Sequence, residues 1–154
     1  MSINIRVQDV SWNLNFKVHL GETWGRFMEG LREQRIWATS CDSCARTFVP
    51  PQPFCEACFE PASSWKEIPG RGTLETWTIS EHAFEGSPPA PYGIAAVRLE
   101  GADTMLLHFL GGVDFSDLSV AQDRLQVGDP VEVVWSEDRK GHIHDIKHFA
   151  PAGT

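Results

Sequence analysis

The sequence lacks several features that would place it at a membrane or outside the cell. It has no apolar run approaching the ~18 residues that a membrane-spanning helix requires. It begins Met-Ser-Ile-Asn-Ile-Arg, without a basic stretch followed by an apolar segment, so no secretory signal is expected. Basic residues are few: the sequence has 13 Lys and Arg and 21 Asp and Glu, which gives a net charge of −8. We therefore expect a cytoplasmic protein with no membrane partner, and the 42% hydrophobic content predicts that it folds.

Cysteine is also scarce, and all four cysteines lie in one short stretch, as Cys41, Cys44, Cys55 and Cys58. Two Cys-x-x-Cys pairs separated by ten residues can place four thiolates around one tetrahedral ion. Disulfides are disfavoured, because clustered pairs without an export signal fit a reducing compartment. We predict that the four cysteines are ligands of one structural metal ion. Zinc is favoured over iron because nothing indicates electron transfer, although tetrahedral thiolate sites accept either metal.

The first part of the chain predicts an arm followed by a helix. Apolar and polar side chains alternate over residues 12–20, which is typical of a strand with one buried face, and residues 3–20 predict a hairpin. This strand either packs on its own domain or forms an arm that docks on a partner. A helix is predicted over residues 22–34, whose apolar face is either core or a docking surface. That face consists of Trp24, Phe27, Met28 and Leu31.

The chain divides into four predicted parts with a mainly β fold. Residues 1–35 contain the arm and the helix, and residues 36–66 contain a zinc ribbon. Residues 67–150 contain a barrel, and residues 151–154 form a flexible tail. No contact is expected to hold the end of the chain from Ala150 onward. A ribbon of about 30 residues buries too little apolar surface to fold alone, so the ion has to supply the missing folding energy.

The third part predicts five short strands separated by turns. An irregular segment between the third and fourth strands, residues 116–124, is either a short helix or a loop. Five such strands with one insert at this position are typical of an OB-fold, a small closed or partly open barrel. The predicted strands cover residues 73–81, 92–99, 104–110, 131–135 and 142–149.

The order of these parts resembles that of a known protein family. A helix that carries aromatic residues precedes a Cys-x2-Cys-x10-Cys-x2-Cys ribbon. The barrel then begins with Gly-Arg-Gly-Thr at residues 70–73, continues with Pro-Tyr at 91–92, and has Val-Gly-Asp-Pro-Val at 127–131. In this order the motifs resemble the domain-of-unknown-function-35 (DUF35) family, over about residues 22–149.

The resemblance implies a rubredoxin-like zinc ribbon joined to an OB-fold and associated with acyl-CoA metabolism. It implies that the four cysteines hold structural Zn²⁺ and that the chain has no catalytic residue of its own. Members of the family resemble accessory subunits that bind a thiolase, a thiolase-like aldolase or a hydratase and help to enclose the coenzyme A thioester. The chain also resembles the small subunit of aromatic acyl-CoA thiolases such as benzoylsuccinyl-CoA thiolase. This resemblance implies a hetero-oligomer whose catalytic subunit belongs to the thiolase family. An aldolase or a hydratase is the alternative catalytic partner.

Two other classes of function are weighed against this one. A zinc ribbon with an OB-fold can bind nucleic acid through a basic groove and stacked aromatic residues. Residues 70–154, however, carry thirteen acidic against six basic residues, a net of −7 that repels phosphates, so no nucleic acid is expected. Independent catalysis is disfavoured because a four-cysteine site leaves no open position for water, and no other acid, base and nucleophile converge.

The basic residues around the predicted helix have two interpretations. Arg26, Arg32 and Arg35 give this part of the chain its positive balance. They either contact the phosphates of coenzyme A or pair with Glu29 and Glu33 on a solvated helix face. Sequence alone leaves both interpretations open.

Two local patterns concern individual positions. His142, His144 and His148 share one side of the predicted fifth strand, and they form either a second metal site or a solvated strand face.

Zinc knuckles commonly have glycine directly after the second cysteine, where a positive φ is convenient. This chain has Ala45 and Phe59 at those positions.

Overall fold

The computed structural model describes residues 17–153, so the predicted hairpin and most of the predicted arm lie outside the described residues. The described part is mainly β, as expected, with two α-helices, eight strands and one short 3-10 helix. In chain order these are α1 (Gly21–Arg32), β1 (Ile36–Ser40), β2 (Thr47–Phe48), β3 (Ser64–Ile68), β4 (Arg71–Ser80), β5 (Tyr92–Leu99), β6 (Leu106–Leu110), α2 (Leu118–Arg124), β7 (Pro130–Trp135), the 3-10 helix (Ile143–Asp145) and β8 (Ile146–Pro151).

Helix α1 ends two residues earlier than the apolar periodicity predicts. The chain leaves the helix through Gln34, whose φ of 62° lies in the left-handed region. The backbone N–H of Gln34 donates to the carbonyl of Leu31 at 3.0 Å, and the N–H of Arg35 donates to the carbonyl of Gly30 at 2.8 Å. These two bonds satisfy the last free carbonyls of the helix in the pattern of a Schellman cap, with glutamine in the position that usually has glycine.

The predicted apolar face of α1 is divided between core and surface. Phe27 and Leu31 are fully buried, and Met28 packs at the edge of the core. Trp24 is 38% exposed. Gly30 lets the helix approach the ribbon closely, because a Cβ there would collide with the ring of Trp37. The helix therefore anchors the core with one part of its apolar face and leaves the other part accessible.

The ribbon is a three-stranded antiparallel sheet in the order β2-β1-β3. Strands β1 and β3 pair over their full length, from Ile36 opposite Ile68 to Ser40 opposite Ser64. Each cysteine pair lies in a turn, the first between β1 and β2 and the second between β2 and β3. Both turns therefore come out at the same end of the ribbon.

The barrel is closed in the strand order β4-β5-β6-β8-β7, with β7 pairing back onto β4. All neighbours are antiparallel except β6 and β8, and α2 lies between β6 and β7, which is the arrangement of an OB-fold.

Of the two structures considered for residues 116–124, a short helix or a loop, the protein has the helix α2. It begins where the Asp117 carboxylate accepts the N–H groups of Ser119 and Val120 at 2.9 and 3.3 Å. No helix within residues 17–153 is both long and apolar enough to span a bilayer.

The predicted fifth strand is wrong over its first four residues, because β8 begins only at Ile146. Residues 142–145 form a turn in which the buried Asp145 carboxylate accepts the N–H groups of residues 140–142 at 2.7–3.1 Å. Burial alone would raise the pKa of Asp145, but these three donors hold it below its usual value. The shared strand side predicted for the three histidines is therefore also wrong, since only His148 lies on β8.

The predicted tail starts later than expected. Ala150 and Pro151 belong to β8 and pair with Glu132 and Val131. The N–H of Ala152 donates to the carbonyl of Pro130 at 2.9 Å. Residues 150–152 are thus held by β7, and their prediction as a free tail is wrong.

Hydrogen bonds join the ribbon to the barrel at the turn between β5 and β6. The N–H of Thr47 donates to the Asp103 carboxylate at 2.8 Å, and the N–H of Asp103 donates to the carbonyl of Thr47 at 2.8 Å. The Thr104 hydroxyl accepts from the N–H of Val49 at 2.7 Å and donates to its carbonyl at 2.9 Å. The same apolar core also runs from Phe27 of α1 through the ribbon into the barrel, so the parts pack as one unit.

Candidate metal centre

Two matching turns of the backbone position the cysteine pairs. In the first turn the N–H of Cys41 donates to the carbonyl of Arg46 at 2.9 Å. In the second the N–H of Cys55 donates to the carbonyl of Glu60 at 2.8 Å. The bond spans five residues in both cases, so the two Cys-x-x-Cys segments are held in equivalent conformations.

The residue after each second cysteine has the left-handed backbone expected of a zinc knuckle. The φ angles are 56° at Ala45 and 63° at Phe59. Residues other than glycine adopt this region at a cost of about 1–2 kcal/mol, because the Cβ approaches the neighbouring carbonyl. The knuckle conformation is thus formed against the local preference of both residues, and something else has to compensate for it.

The four sulfurs converge at the end of the ribbon, all within 4.8 Å of one another. All four cysteines are free of disulfides, and the Sγ atoms of Cys41 and Cys58 are 3.6 Å apart. Four thiolates at ≈ 2.3 Å from a tetrahedral zinc ion lie about 3.8 Å from one another. The spacing is therefore that of a cluster positioned to hold one metal ion.

The chemistry of the four thiols also fits a cation. Burial raises the pKa of Cys55, but the N–H groups of Ala57 and Cys58 donate to its sulfur and bring the pKa down to about 7. The pKa of Cys44 is raised to about 12, first by its hydrogen bond to the sulfur of Cys58 and then by burial. Four neighbouring thiolates repel one another, and a bound divalent cation removes that repulsion. With four cysteine ligands such a site is closed and has a structural role.

Few apolar side chains are buried around the four cysteines. Cys41 and Cys55 are buried against Phe48 and Ala62, whereas Cys44 is exposed. An ion pair of 3.0 Å between Arg46 and Glu56 connects the two knuckles on the surface. Pairs of this kind contribute little when they are exposed. A metal ion bound by the four cysteines would therefore supply most of the stability at this end of the ribbon.

Within residues 17–153, the three histidines considered for a second metal site are not grouped as ligands of one ion. The rings of His142 and His144 lie 4.8 Å apart, at the turn before β8. Within residues 17–153, the four cysteines are the only group of three or more His, Cys, Asp or Glu side chains close enough to share an ion. The histidine pair thus has no third ligand in the part of the chain that the structure describes.

Two of the three helix arginines pair with acidic side chains, as one interpretation of the sequence expected. Arg32 pairs with Glu29 on the same helix. Arg35 lies 3.7 Å from Glu33 and forms a closer pair with Glu67 of β3, at 2.6 Å. The partner Glu67 was not anticipated, since it comes from the register of β1 against β3.

Arg26 has a different environment. Its guanidinium lies 4.7 Å from the ring centre of Trp37 and 4.2 Å from that of Trp65. Within the described residues no ion pair involves Arg26. The side chain therefore stacks α1 onto the ribbon through cation–π contacts, which sequence patterns do not reveal.

A buried histidine of the barrel was also missed. His108 is 7% exposed, its Nε2 lies 3.0 Å from the Ile143 carbonyl, and its Nδ1 accepts the N–H of Phe109 at 2.8 Å. Burial is the main cause that lowers its pKa to about 4, so the ring is neutral at neutral pH. The alternation of Leu106, His108 and Leu110 on β6 was a signal that this histidine faces inward.

Comparison with known proteins identifies both modules. The family model described as "ChsH2, rubredoxin-like zinc ribbon domain" matches residues 28–63, and the one described as "ChsH2, C-terminal OB-fold domain" matches residues 65–136. No curated protein matches the chain.

Two solved structures share the fold. One is described as an Ltp2-ChsH2(DUF35) aldolase, with a TM-score of 0.61 and 23% identity over 82% of this chain and 92% of the other. The second is a DUF35 family protein of unknown function from Sulfolobus solfataricus, with a TM-score of 0.57 and 26% identity over 74% of this chain and 78% of the other. Both likenesses include ribbon and barrel together, because each covers more residues than either module contains.

Proposed function

The chain belongs to the DUF35 family, with a ChsH2-type zinc ribbon and OB-fold, and on that premise we propose that it is a non-catalytic accessory subunit of an acyl-CoA-processing enzyme. Its catalytic partner is a thiolase-family subunit that supplies the nucleophile and the acid–base groups. This chain docks on that subunit and helps to enclose the coenzyme A thioester. The metal is a structural Zn²⁺ held by Cys41, Cys44, Cys55 and Cys58.

The observation that carries the proposal is the closed cysteine cluster within a single packed unit of helix, ribbon and barrel. Zinc with four cysteine ligands has no open position at which water or a carbonyl can bind, so the site supports structure and not a reaction. His108, whose pKa is strongly lowered, is buried and bonded to backbone on both ring nitrogens. A role through contact with another protein fits this arrangement better than a role in chemistry.

One observation favours a second candidate for the partner. The structure that matches over 92% of its own chain is described as an aldolase with two named components, Ltp2 and ChsH2(DUF35). By analogy the partner of this chain is an aldolase subunit that acts on a related thioester, a ranking that rests on fold likeness alone. A hydratase is the remaining alternative.

The test is to purify the chain alone and together with its catalytic subunit. We expect about one zinc per chain by elemental analysis and no thiolysis or aldol cleavage of acyl-CoA by the chain alone. Activity should appear when a thiolase or aldolase subunit co-purifies in fixed proportion. A colourless protein supports zinc, whereas visible absorbance in the isolated chain would indicate iron.

The opposite result would be tight, salt-sensitive binding to single-stranded DNA or RNA with no protein partner. That outcome would make the chain a nucleic-acid-binding module and would contradict the proposal. Titration of a fluorescent oligonucleotide at low and high salt measures it directly.

A further inference from the structure

Two apolar hollows lie next to each other on one face of the protein. The first, of about 630 Å³, lies at the start of α1, where Leu20 and Trp24 line it together with His142. The second, of about 230 Å³, lies on the barrel between β5, β6 and the turn before β8, and Phe109 and His144 line it. The rings of the two histidines are 4.8 Å apart and join the hollows. We call the joined surface the apolar patch; it is centred on Leu20, Trp24, His142, His144, Phe109 and Leu107.

The barrel end of the patch is formed by the outward face of β6. The alternate residues Leu106, His108 and Leu110 face the barrel interior and are at most 7% exposed. Leu107 and Phe109 therefore face outward, and Leu107 is 68% exposed. Their partners on β5 are small or apolar as well, Ala96 opposite Leu107 and Ile94 opposite Phe109. The outer face of an antiparallel sheet normally carries polar residues, so this part of the barrel is prepared for contact with something other than water.

The helix end of the patch has the same character. Val18, Leu20 and Trp24 are 64%, 43% and 38% exposed. Val18 and Leu20 belong to the alternating apolar side of residues 12–20, for which both packing on its own domain and docking on a partner were considered. Within the described part of that segment the apolar side chains are not buried by their own domain. The described end of this segment therefore adds apolar surface to the patch.

The patch carries no formal charge, although the protein as a whole has a net charge of −8. Among the described residues that line the two hollows there is no Lys, Arg, Asp or Glu. Burial, and next the nearby His142, lower the pKa of His144, which favours the uncharged form of its ring. An exposed apolar surface without charges is typical of the centre of a stable protein–protein interface.

We infer that the apolar patch is the surface on which the catalytic subunit docks, with an apolar and uncharged surface of that subunit facing it. The inference rests on the proposed function and specifies where the contact is made. The patch bridges α1 and the barrel, which share one core, so it needs no rearrangement to receive a partner.

Other occupants fit less well. A second copy of this chain would bring two net charges of −8 together, which opposes association. A nucleic acid would need cations for its phosphates, and the lining residues of both hollows include none within the described chain. A catalytic subunit with a complementary apolar surface is the occupant that these properties favour.

The experiment compares two matched substitutions, Leu107→Asp and Val127→Asp. Leu107 and Val127 are 68% and 67% exposed, so an aspartate at either position stays in water and leaves folding intact. Only Leu107 belongs to the patch, since Val127 lies in the turn between α2 and β7. The full-length chain, with an affinity tag, is purified from its own cells, and mass spectrometry identifies and quantifies any thiolase, aldolase or hydratase subunit recovered with it.

We expect the wild type and Val127→Asp to retain the catalytic subunit in fixed proportion. Leu107→Asp should reduce its recovery at least about tenfold, because an unpaired carboxylate would be buried in an apolar interface. Leu20→Asp, at the helix end of the patch, should have the same effect. Zinc content and circular dichroism confirm that each variant is folded.

Three results would overturn the inference in distinguishable ways. If folded Leu107→Asp and Leu20→Asp both retain the subunit at the wild-type level, the docking surface lies elsewhere and the proposed function still holds. If the wild type itself retains no such subunit, the proposed function fails and the inference fails with it. If the isolated wild type is a dimer by sedimentation and Leu107→Asp makes it a monomer, the patch binds a second copy of this chain.

Discussion

The cysteine end of the ribbon and the barrel differ in what stabilises them. At the cysteine end the buried cluster consists only of Cys41, Cys55, Phe48 and Ala62. The barrel instead closes around a large apolar core that continues into α1 and the body of the ribbon. Burial contributes about 25 cal/mol for each Å² of apolar surface, so the barrel has a source of stability that the cysteine end lacks.

The difference shows how two small modules can form one rigid protein. At the cysteine end, where burial is slight, metal bonds would replace hydrophobic burial and offset the strain at Ala45 and Phe59. The barrel and α1 hold the patch in place without the metal. Metal dependence should therefore be confined to one end of the molecule.

The largest expected effect comes from Cys41→Ser, which removes one of the four proposed metal ligands. We expect a large loss of bound zinc and a destabilisation of the cysteine end by at least about 4 kcal/mol, because metal binding supplies its folding energy. Elemental analysis and hydrogen exchange measure the two effects. Exchange should increase in residues 41–62 and change little in β4–β8.

Ser43→Ala is the matched control, since Ser43 lies in the same knuckle and is exposed. It should keep both the metal and the protection of residues 41–62. Unchanged zinc content in Cys41→Ser would show that the cysteines do not form the metal site. Loss of protection throughout the barrel would show that the two ends are not stabilised separately.

The second prediction concerns the barrel and its buried His108. The pKa of this ring is lowered from 6.5 to about 4 in the folded protein, so the unfolded state binds the proton more readily. Above about pH 6.5 the ring is neutral in both states, and His108 does not reduce the free energy of unfolding. As the pH falls from 6.5 toward 4, the unfolded state gains the proton first, and the free energy of unfolding decreases. At about 1.4 kcal/mol for each pH unit, the loss is roughly 3 kcal/mol over this window.

Urea unfolding between pH 7.5 and 4.5 measures this loss, and His108→Gln should reduce it, because glutamine does not titrate. His82→Gln is the control, since His82 is exposed on the loop after β4. Acid also releases metal from thiolates, so the informative quantity is the difference between wild type and His108→Gln at each pH. Equal slopes for the two proteins would show that His108 is not the group responsible.

Sequence predicted the fold wherever the signal was local. The spacing of the cysteines predicted the ribbon and its two knuckles, and the turn residues between the barrel strands predicted most strand ends to within two residues. These features depend on residues that are neighbours along the chain or on one periodicity, which is why a single sequence contains them.

Features that leave no periodic pattern in the sequence were not predictable. The turn at residues 142–145 depends on a buried carboxylate, that of Asp145, which replaces the strand pattern with bonds to three backbone N–H groups. The stacking of Arg26 on Trp37 and Trp65 depends on the register of β1 and β3. The first depends on one side chain that bonds to its own turn, and the second on partners from different elements, so neither leaves a periodic signal.

A smaller effect is expected at the joint between the two regions. The Thr104 hydroxyl bonds to both the N–H and the carbonyl of Val49. Thr104→Val keeps the shape and removes both bonds, which should cost about 1–3 kcal/mol because the N–H of Val49 is left unsatisfied in a partly buried place. Thermal unfolding measures this, and Thr78→Val, at an exposed position of β4, should change stability much less. If Thr104→Val were neutral, the shared core alone would hold the ribbon on the barrel.

The smallest effect is expected from replacing alanine by glycine at strained and unstrained positions of the ribbon. Ala45 has a φ of 56°, so Ala45→Gly should stabilise the protein by about 1 kcal/mol, because glycine adopts this conformation without a steric cost. Ala57 lies inside the other knuckle and is not among the residues with positive φ, so Ala57→Gly should destabilise it by roughly 0.5–1 kcal/mol. The same change thus has opposite signs at two exposed alanines of one metal site. Chemical denaturation with saturating zinc measures both, and equal signs would mean that backbone strain is not what the metal offsets at this end of the ribbon.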